Sequence, residues 1–201
     1  MLIGLGLGPG DRDLLTLRAV KLLKGADAVF VPGKMAYELV EEYCKPEVLD
    51  YPMVDDEAVI ADSLIRNAGR IAQVARSGTA VLGIIGDPSF YSTFSRQCEI
   101  MLSHYPDIEI DVQPGVSSIT AFASRARLSI NGGFIVTDGE NPDSLIMLKV
   151  KRPREVVENL KDQGYKDFVL SERVFLDDER IYSADELPET SDYFSILYAR
   201  K

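Results

Sequence analysis

Three short glycine-rich segments hold the residues of this chain best suited to bind a ligand. They are GLGLGPGD at residues 4–11, GDPSFYSTF at residues 86–94 and PGVSSITA at residues 114–121. Each follows an apolar, strand-like run and precedes a helix-like one, which is where open α/β sheets bind their ligands. Taken singly, each is equally typical of a tight turn with a helix cap. Three of them in one short chain favour a shared binding site.

The first segment invites comparison with a dinucleotide-binding loop, in which backbone amides hold a pyrophosphate at a helix N-terminus. Its glycines are offset from the GxGxxG spacing, and Pro9 has no amide hydrogen to donate. The second predicted strand also ends in VPG rather than in an acidic residue. The sequence therefore argues against a dinucleotide site.

Residues for nucleophilic or metal chemistry are scarce. The only histidine, His104, lies at a predicted helix end, and we expect it to be far from the three segments. Cys44 and Cys98 form no CxxC or Cys/His pattern, so we predict neither a zinc site nor a disulfide. Ser117 and Ser118 have no histidine near them in the sequence. We predict no metal site, and the sequence identifies no catalytic acid, base or nucleophile.

The elements that carry these segments alternate between strand and helix, which predicts an α/β fold. We predict two α/β domains, residues 1–112 with a mainly parallel sheet and a smaller one, residues 113–201, with a mixed sheet. The first includes a long amphipathic helix over residues 56–76 and a buried strand over residues 79–85. The second has strands predicted at residues 133–137, 144–150, 166–172 and 193–199, and helices at residues 118–125 and 153–162.

Composition excludes several classes of protein. The chain of 201 residues carries 32 acidic and 22 basic side chains, a net charge of −10, which argues against a nucleic-acid partner. A hydrophobic content of 46% is typical of a globular protein. No apolar run reaches the roughly 18 residues of a membrane span, and Met1 leads directly into a strand-like run. We therefore expect a cytoplasmic protein without a membrane segment.

Together, GLGPGD with LTL, GDP and PGVSS resemble, in order and spacing, the tetrapyrrole methylases that use S-adenosylmethionine. The resemblance covers essentially the whole chain. Within that family, four further segments are similar to those of the methyltransferases that act on carbon 20 of precorrin-2 or cobalt-factor II. They are DYPM at residues 50–53, YSTF at 91–94, MLKV at 147–150 and YFSI at 193–196. One departure is that the stretch between Leu128 and Thr137 is shorter than in many relatives.

The resemblance implies that S-adenosylmethionine binds in a cleft between the two domains, largely through backbone groups, and leaves as S-adenosylhomocysteine. The positions that match its binding residues are Pro9, Asp87, Phe90, Thr93, Ser118, Ile119, Leu148, Val174 and Ser195. The implied substrate is a tetrapyrrole with many carboxylates, so an acidic protein needs local cations to hold it. The expected substrate-binding residues are Lys34, Tyr91, Arg125 and Lys149, and a homodimer is the expected assembly.

Direct transfer is the expected mechanism, because a sulfonium methyl group is already activated toward attack by an electron-rich ring carbon. The protein then has to align the reacting atoms and exclude water. Two alternatives stay open: a methyltransferase for another ring position, such as carbon 11 or carbon 17, and a non-catalytic sensor of S-adenosylmethionine.

Overall fold

A computed structural model describes all residues, Met1–Lys201, and divides them into two compact units, Met1–Ser129 and Ile130–Lys201. The predicted boundary after residue 112 falls inside a strand, Ile110–Gln113, that belongs to the first unit. The division therefore lies further along the chain, because this strand and the helix that follows it complete the first unit.

The first unit contains one sheet of five parallel strands, in the order β3-β2-β4-β1-β5. The strands are β1 Leu2–Gly6, β2 Ala28–Val31, β3 Glu47–Val48, β4 Ala80–Ile84 and β5 Ile110–Gln113. The helices are α1 Leu17–Gly25, α2 Lys34–Val40, α3 Glu57–Ala75, α4 Thr93–His104 and α5 Ser118–Arg125, with a short 3₁₀ helix at Arg12–Leu14. The predicted α/β class and parallel first sheet are confirmed.

Burial on both faces explains why the central strands are continuously apolar. Every residue of β1 and β4 is buried, as expected for a parallel sheet covered by helices. Leu2 and Leu82 pack in one cluster with residues of α3 and α4, whereas Leu5 and Val81 pack in another with residues of α1 and α2. Because all five strands are parallel, the loops that follow them leave the sheet at one edge, here named the carboxyl edge.

The second unit contains a four-stranded sheet in the order β6-β9-β7-β8, with helix α6. The elements are β6 Ser144–Leu148, α6 Pro153–Asp162, β7 Asp167–Glu172, β8 Arg180–Ser183 and β9 Ser195–Arg200. Val157 and Leu160 of α6 share a buried cluster with Phe168 and Leu197 of the strands.

All strand pairings of this second sheet are antiparallel, whereas a mixed sheet was predicted. The difference arises because alternation in sequence identifies a strand but not its direction. Residues 133–137, predicted as a strand, have no regular structure.

None of the helices in either unit combines the length and the apolar character needed to cross a membrane.

Candidate ligand-binding site

The three glycine-rich segments come together in the first unit. We name them loop 1 (residues 7–11, after β1), loop 2 (residues 85–92, after β4) and loop 3 (residues 114–117, after β5). Gly8 and Gly86 exchange two backbone hydrogen bonds, with N···O distances of 3.2 and 2.7 Å. The amide of Gly115 in loop 3 donates to a carboxylate oxygen of Asp87 in loop 2, at 3.1 Å. The predicted convergence of these segments is therefore present in the fold.

Glycine is required where these loops touch. A Cβ atom on Gly6 would lie 2.3 Å from the amide nitrogen of Gly115, and one on Gly115 would lie 2.4 Å from the carbonyl oxygen of Gly86. Both distances are far shorter than a carbon atom tolerates, so only glycine allows this backbone approach. At Gly86, which is buried, a Cβ would meet the Ser118 nitrogen at 4.0 Å, an ordinary van der Waals distance. The backbone of loop 2 is therefore close to the start of α5.

Asp87 joins two of the loops through its side chain. One carboxylate oxygen accepts a hydrogen bond from the Ser89 amide at 2.9 Å, and the other accepts from the Gly115 amide at 3.1 Å. The residue is half-buried. Both oxygens are thus occupied by protein donors, so the side chain holds loop 2 and loop 3 in position. Its expected contact with a cofactor stays a prediction.

Two helices start at these loops, and each is capped by a serine. The Ser92 hydroxyl accepts from the Phe94 amide at 3.1 Å at the start of α4, and the Ser117 hydroxyl accepts from the Ile119 amide at 3.3 Å at the start of α5. The first turns of helices carry amides suited to a polar or anionic ligand group. Six expected cofactor positions lie in these loops or helix starts: Pro9, Asp87, Phe90, Thr93, Ser118 and Ile119.

The expected substrate residues of the first unit are more scattered. Lys34 is the first residue of α2 at the carboxyl edge, and its ammonium group lies 3.4 Å from Glu38. Tyr91 is exposed in loop 2, where its φ of 49° is left-handed. Arg125 ends α5, two turns away from Ser118. The structure therefore brings Lys34 and Tyr91 to the carboxyl edge, but not Arg125.

The second unit contains a pocket of about 370 Å³, at the lower end of the range for small-molecule sites. Four expected residues line it: Leu148, Lys149, Val174 and Ser195. The rest of the lining comes from Arg173, Leu176, Tyr193, Phe194 and Ile196. The walls are mainly aliphatic and aromatic, which suits a flat, weakly polar ligand group.

Lys149 has a defined position at this pocket. Its backbone is left-handed, with a φ of 58°, and its amide donates to the Ser195 carbonyl at 2.8 Å. Its ammonium group lies 5.0 Å from the centroid of the Tyr193 ring, within cation–π range. The Ser195 hydroxyl is buried and donates to the Val150 carbonyl at 2.8 Å. The expected contact of Ser195 with a ligand is therefore limited to its backbone.

The backbone geometry around this pocket is not predictable from the sequence. Arg173 and Phe175 are also left-handed, with φ values of 56° and 62°, and such strained residues cluster at functional sites. The Arg173 Nε lies 2.8 Å from Asp178, although its N–H is poorly aligned for a hydrogen bond. Asp192 lies 3.8 Å from the same guanidinium. No sequence signal distinguishes these positions, because neither Arg nor Phe favours the left-handed region.

The histidine and the two cysteines lie outside the three loops. His104 is exposed at the last residue of α4, with Nδ1 3.1 Å from the Ile100 carbonyl oxygen. Burial raises the pKa of the Cys98 thiol to about 11 and also raises the pKa of Cys44. Both cysteines are free and half-buried. The structure contains no group of three or more side chains that could hold a metal ion.

Comparison with known proteins identifies relatives over most of the chain. Residues 1–188 match the family of tetrapyrrole (corrin/porphyrin) methylases. A Methanocaldococcus jannaschii protein named "Probable cobalt-precorrin-2 C(20)-methyltransferase" is 28% identical over 98% of this chain and 95% of its own length. A "Precorrin-2 C(20)-methyltransferase" of Sinorhizobium sp. is 30% identical over 66% of this chain, which spans 60% of that protein.

Solved structures share the fold. The precorrin-6Y methylase (cbiE) of Archaeoglobus fulgidus aligns over 100% of this chain and 97% of its own, with a TM-score of 0.50 and 20% identity. At this level of identity, the likeness concerns the fold alone.

Proposed function

The chain belongs to the tetrapyrrole (corrin/porphyrin) methylases, and on that basis we propose that it transfers a methyl group from S-adenosylmethionine to carbon 20 of precorrin-2 or cobalt-factor II in corrin biosynthesis. The observation that carries the proposal is the match over nearly the full length of both chains to the Methanocaldococcus jannaschii relative that bears this activity in its name. The sequence matches to two cobalt-precorrin-4 C(11)-methyltransferases cover only 62% and 63% of the chain.

The residues present fit S-adenosylmethionine. In the first unit, loop 2 and the starts of α4 and α5 bring backbone groups together at the carboxyl edge. In the second unit, the apolar and aromatic pocket suits a flat base. The residues that would hold the cofactor are Pro9, Phe90, Thr93, Ser118, Ile119, Leu148 and Val174, with the backbone of Ser195. When bound, the cofactor supplies a methyl group activated by its sulfonium.

The chain's own contribution is to bind, orient and exclude water. Asp87 holds loop 2 against loop 3, and the glycine contacts between Gly6, Gly86 and Gly115 fix the loop backbones. Fixed donors and close alignment lower the barrier of a transfer that needs no protein nucleophile. His104 lies at the end of α4 opposite to loop 2 and takes no part.

Substrate binding depends on a few close cations. With a net charge of −10, the protein repels a polycarboxylate at long range, so attraction must come from near contacts that salt screens less. Lys34 at the carboxyl edge and Lys149 at the pocket of the second unit are the proposed carboxylate contacts, with Tyr91 beside the ring. Arg125 is left out of this set because of its position at the far end of α5.

The proposed enzyme is a cytoplasmic homodimer, as the family resemblance suggests. Light scattering of the purified protein at micromolar concentration tests the assembly, and a mass of one chain would contradict it.

Transfer of a labelled methyl group tests the proposed function. The protein is mixed with S-adenosylmethionine labelled on the methyl group and with reduced precorrin-2 or cobalt-factor II, and label in the tetrapyrrole is measured. We expect transfer to at least one of the two substrates. If the protein binds the cofactor but transfers no methyl group to either tetrapyrrole, the result would instead favour a non-catalytic sensor of S-adenosylmethionine.

A further inference from the structure

One irregular segment of the first unit is held by an unusual set of buried polar groups. We name residues 50–54, which follow β3, the strap. The only buried polar side chains of the first unit are Ser63 and Asn67 on α3 and Gln97 on α4. Ser63 and Asn67 both donate to the Asp50 carbonyl, at 2.5 and 2.7 Å. Polar groups are costly to bury unless they are hydrogen-bonded, and here all three are used to hold the strap.

Gln97 links the strap to both helices. Its side-chain oxygen accepts from the Tyr51 hydroxyl at 3.0 Å, and its amide nitrogen donates to the Leu64 carbonyl at 3.1 Å. Gln97 is completely buried. Burial raises the pKa of the Tyr51 hydroxyl, so the phenol stays protonated and remains a donor. The first two residues of the strap, Asp50 and Tyr51, are thus anchored to α3 and α4 by paired polar groups.

Beyond these two anchored residues, the strap exposes an apolar side chain to solvent. Met53 is 101% exposed, and Val54 is also exposed. The flexible thioether of methionine adapts to irregular apolar surfaces and is common at binding surfaces. Met53 buries nothing in the unit, so its exposure two residues after this anchor is better explained by contact with a ligand than by stability.

The strap lies at the carboxyl edge, where the ligand loops also lie. β3 is parallel to β2, with Val48 beside Val31, so Met53 and Lys34 follow neighbouring strands. Loop 2 leads directly into α4, and Gln97 in the second turn of that helix accepts the hydrogen bond from Tyr51 of the strap. Arg96 of the same turn pairs with Glu57, just beyond the strap, at 2.6 Å. The strap therefore flanks the start of α4 together with loop 2.

We propose that the strap is a substrate-recognition element in which Met53 contacts a face of the tetrapyrrole ring and Gln97 is a positioning residue that acts through Tyr51. The inference rests on the proposed function. Such a ring has apolar faces and a rim of carboxylates, so an exposed methionine and a nearby lysine match its two kinds of surface.

Titration of the protein with cobalt-factor II or precorrin-2, with binding measured by the change in absorbance, tests the proposal separately from turnover. Met53→Ala should weaken tetrapyrrole binding roughly tenfold to a hundredfold, the effect of losing one buried methionine contact. Met53→Leu should restore most of the affinity, and S-adenosylhomocysteine binding should not change in either variant. Leu102→Ala is the control, because Leu102 is also an exposed apolar residue, at 60%, but lies near the end of α4. An unchanged affinity in Met53→Ala would overturn the proposal.

Tyr51→Phe tests the positioning role, since it removes only the hydroxyl that donates to Gln97. We expect tetrapyrrole affinity to fall roughly two- to tenfold, with kcat at saturating substrate and S-adenosylhomocysteine affinity unchanged. A lower melting temperature with full tetrapyrrole affinity would show a purely structural role and refute positioning. If the wild-type protein binds tetrapyrrole but transfers no methyl group, the proposed function is wrong, and the binding of the variants still tests the strap proposal. If it binds no tetrapyrrole, both proposals are wrong.

Discussion

Replacing Asp87 with alanine should separate loop 2 from loop 3. The variant loses two hydrogen bonds from backbone amides, those of Ser89 and Gly115. The Ser89 amide is at an exposed residue, so water can replace that partner. The Gly115 amide lies in the tight contact with Gly6 and Gly86, where water has little room. A buried amide without a partner costs about 1–3 kcal/mol, and a bond to a charged group contributes about 1.5–3 kcal/mol.

We therefore expect Asp87→Ala to lower the free energy of unfolding by about 2–4 kcal/mol, equivalent to a loss of roughly 5–15 °C in Tm for a chain of this size. The affinity for S-adenosylhomocysteine should fall at least about tenfold, because the loops no longer hold their spacing.

Asp11→Ala is the matched control. Asp11 accepts only from the Asp13 amide, at 3.0 Å, within one exposed turn of loop 1, so its removal should cost about 0.5–1 kcal/mol. Thermal unfolding and calorimetric titration of both variants give the comparison. If Asp87→Ala unfolds and binds like Asp11→Ala, the side chain of Asp87 does not position the loops and our reasoning is wrong.

Three further predictions concern single side chains. Lys149→Ala should raise the tetrapyrrole KM by roughly ten- to a hundredfold, because a charged contact is lost. Cofactor affinity, measured by calorimetry, should not change. If the variant loses cofactor binding instead, Lys149 contacts the cofactor and not the substrate. His104→Ala should leave the transfer rate unchanged, because His104 is exposed at the far end of α4, and a hundredfold loss would contradict direct transfer. Burial raises the pKa of Cys98 from 9.0 to about 11, so the folded state keeps a proton that the unfolded state loses. The free energy of unfolding, measured with urea, should keep its full value below pH 9.0 and fall as the pH rises through about 11. If a Cys98→Ala variant loses stability with pH as steeply as the wild type, Cys98 is not the cause.

Local signals predicted much of the fold. The bounds of α5 and α6 agree with the prediction, because Ser117 caps the first and Pro153 occupies the first turn of the second. The apolar run of β4 likewise predicted a buried parallel strand. β8 was missed, since Arg180–Ser183 is short and follows acidic residues, and it is a strand only through pairing with β7.

The site was predictable where glycine and serine mark it, and not where distant residues meet. Loop 2 and loop 3 were predicted from their position between strand and helix, yet the contact of Gly6 with Gly115 depends on the sheet order. The Tyr51–Gln97 hydrogen bond joins residues 46 positions apart, and neither residue has a local signal. The family pattern includes Ser195, but it does not show that the Ser195 hydroxyl is buried against the Val150 carbonyl, because that contact depends on the pairing of β9.

The position of the new methyl group tests the central claim most directly. The purified protein is incubated with S-adenosylmethionine and, in separate reactions, with metal-free precorrin-2 and with cobalt-factor II, and each product is analysed by mass spectrometry and carbon NMR. We expect one added methyl group, located on carbon 20, with one of the two substrates converted faster. A product methylated at carbon 11 or carbon 17, or no product with either tetrapyrrole, would contradict the claim.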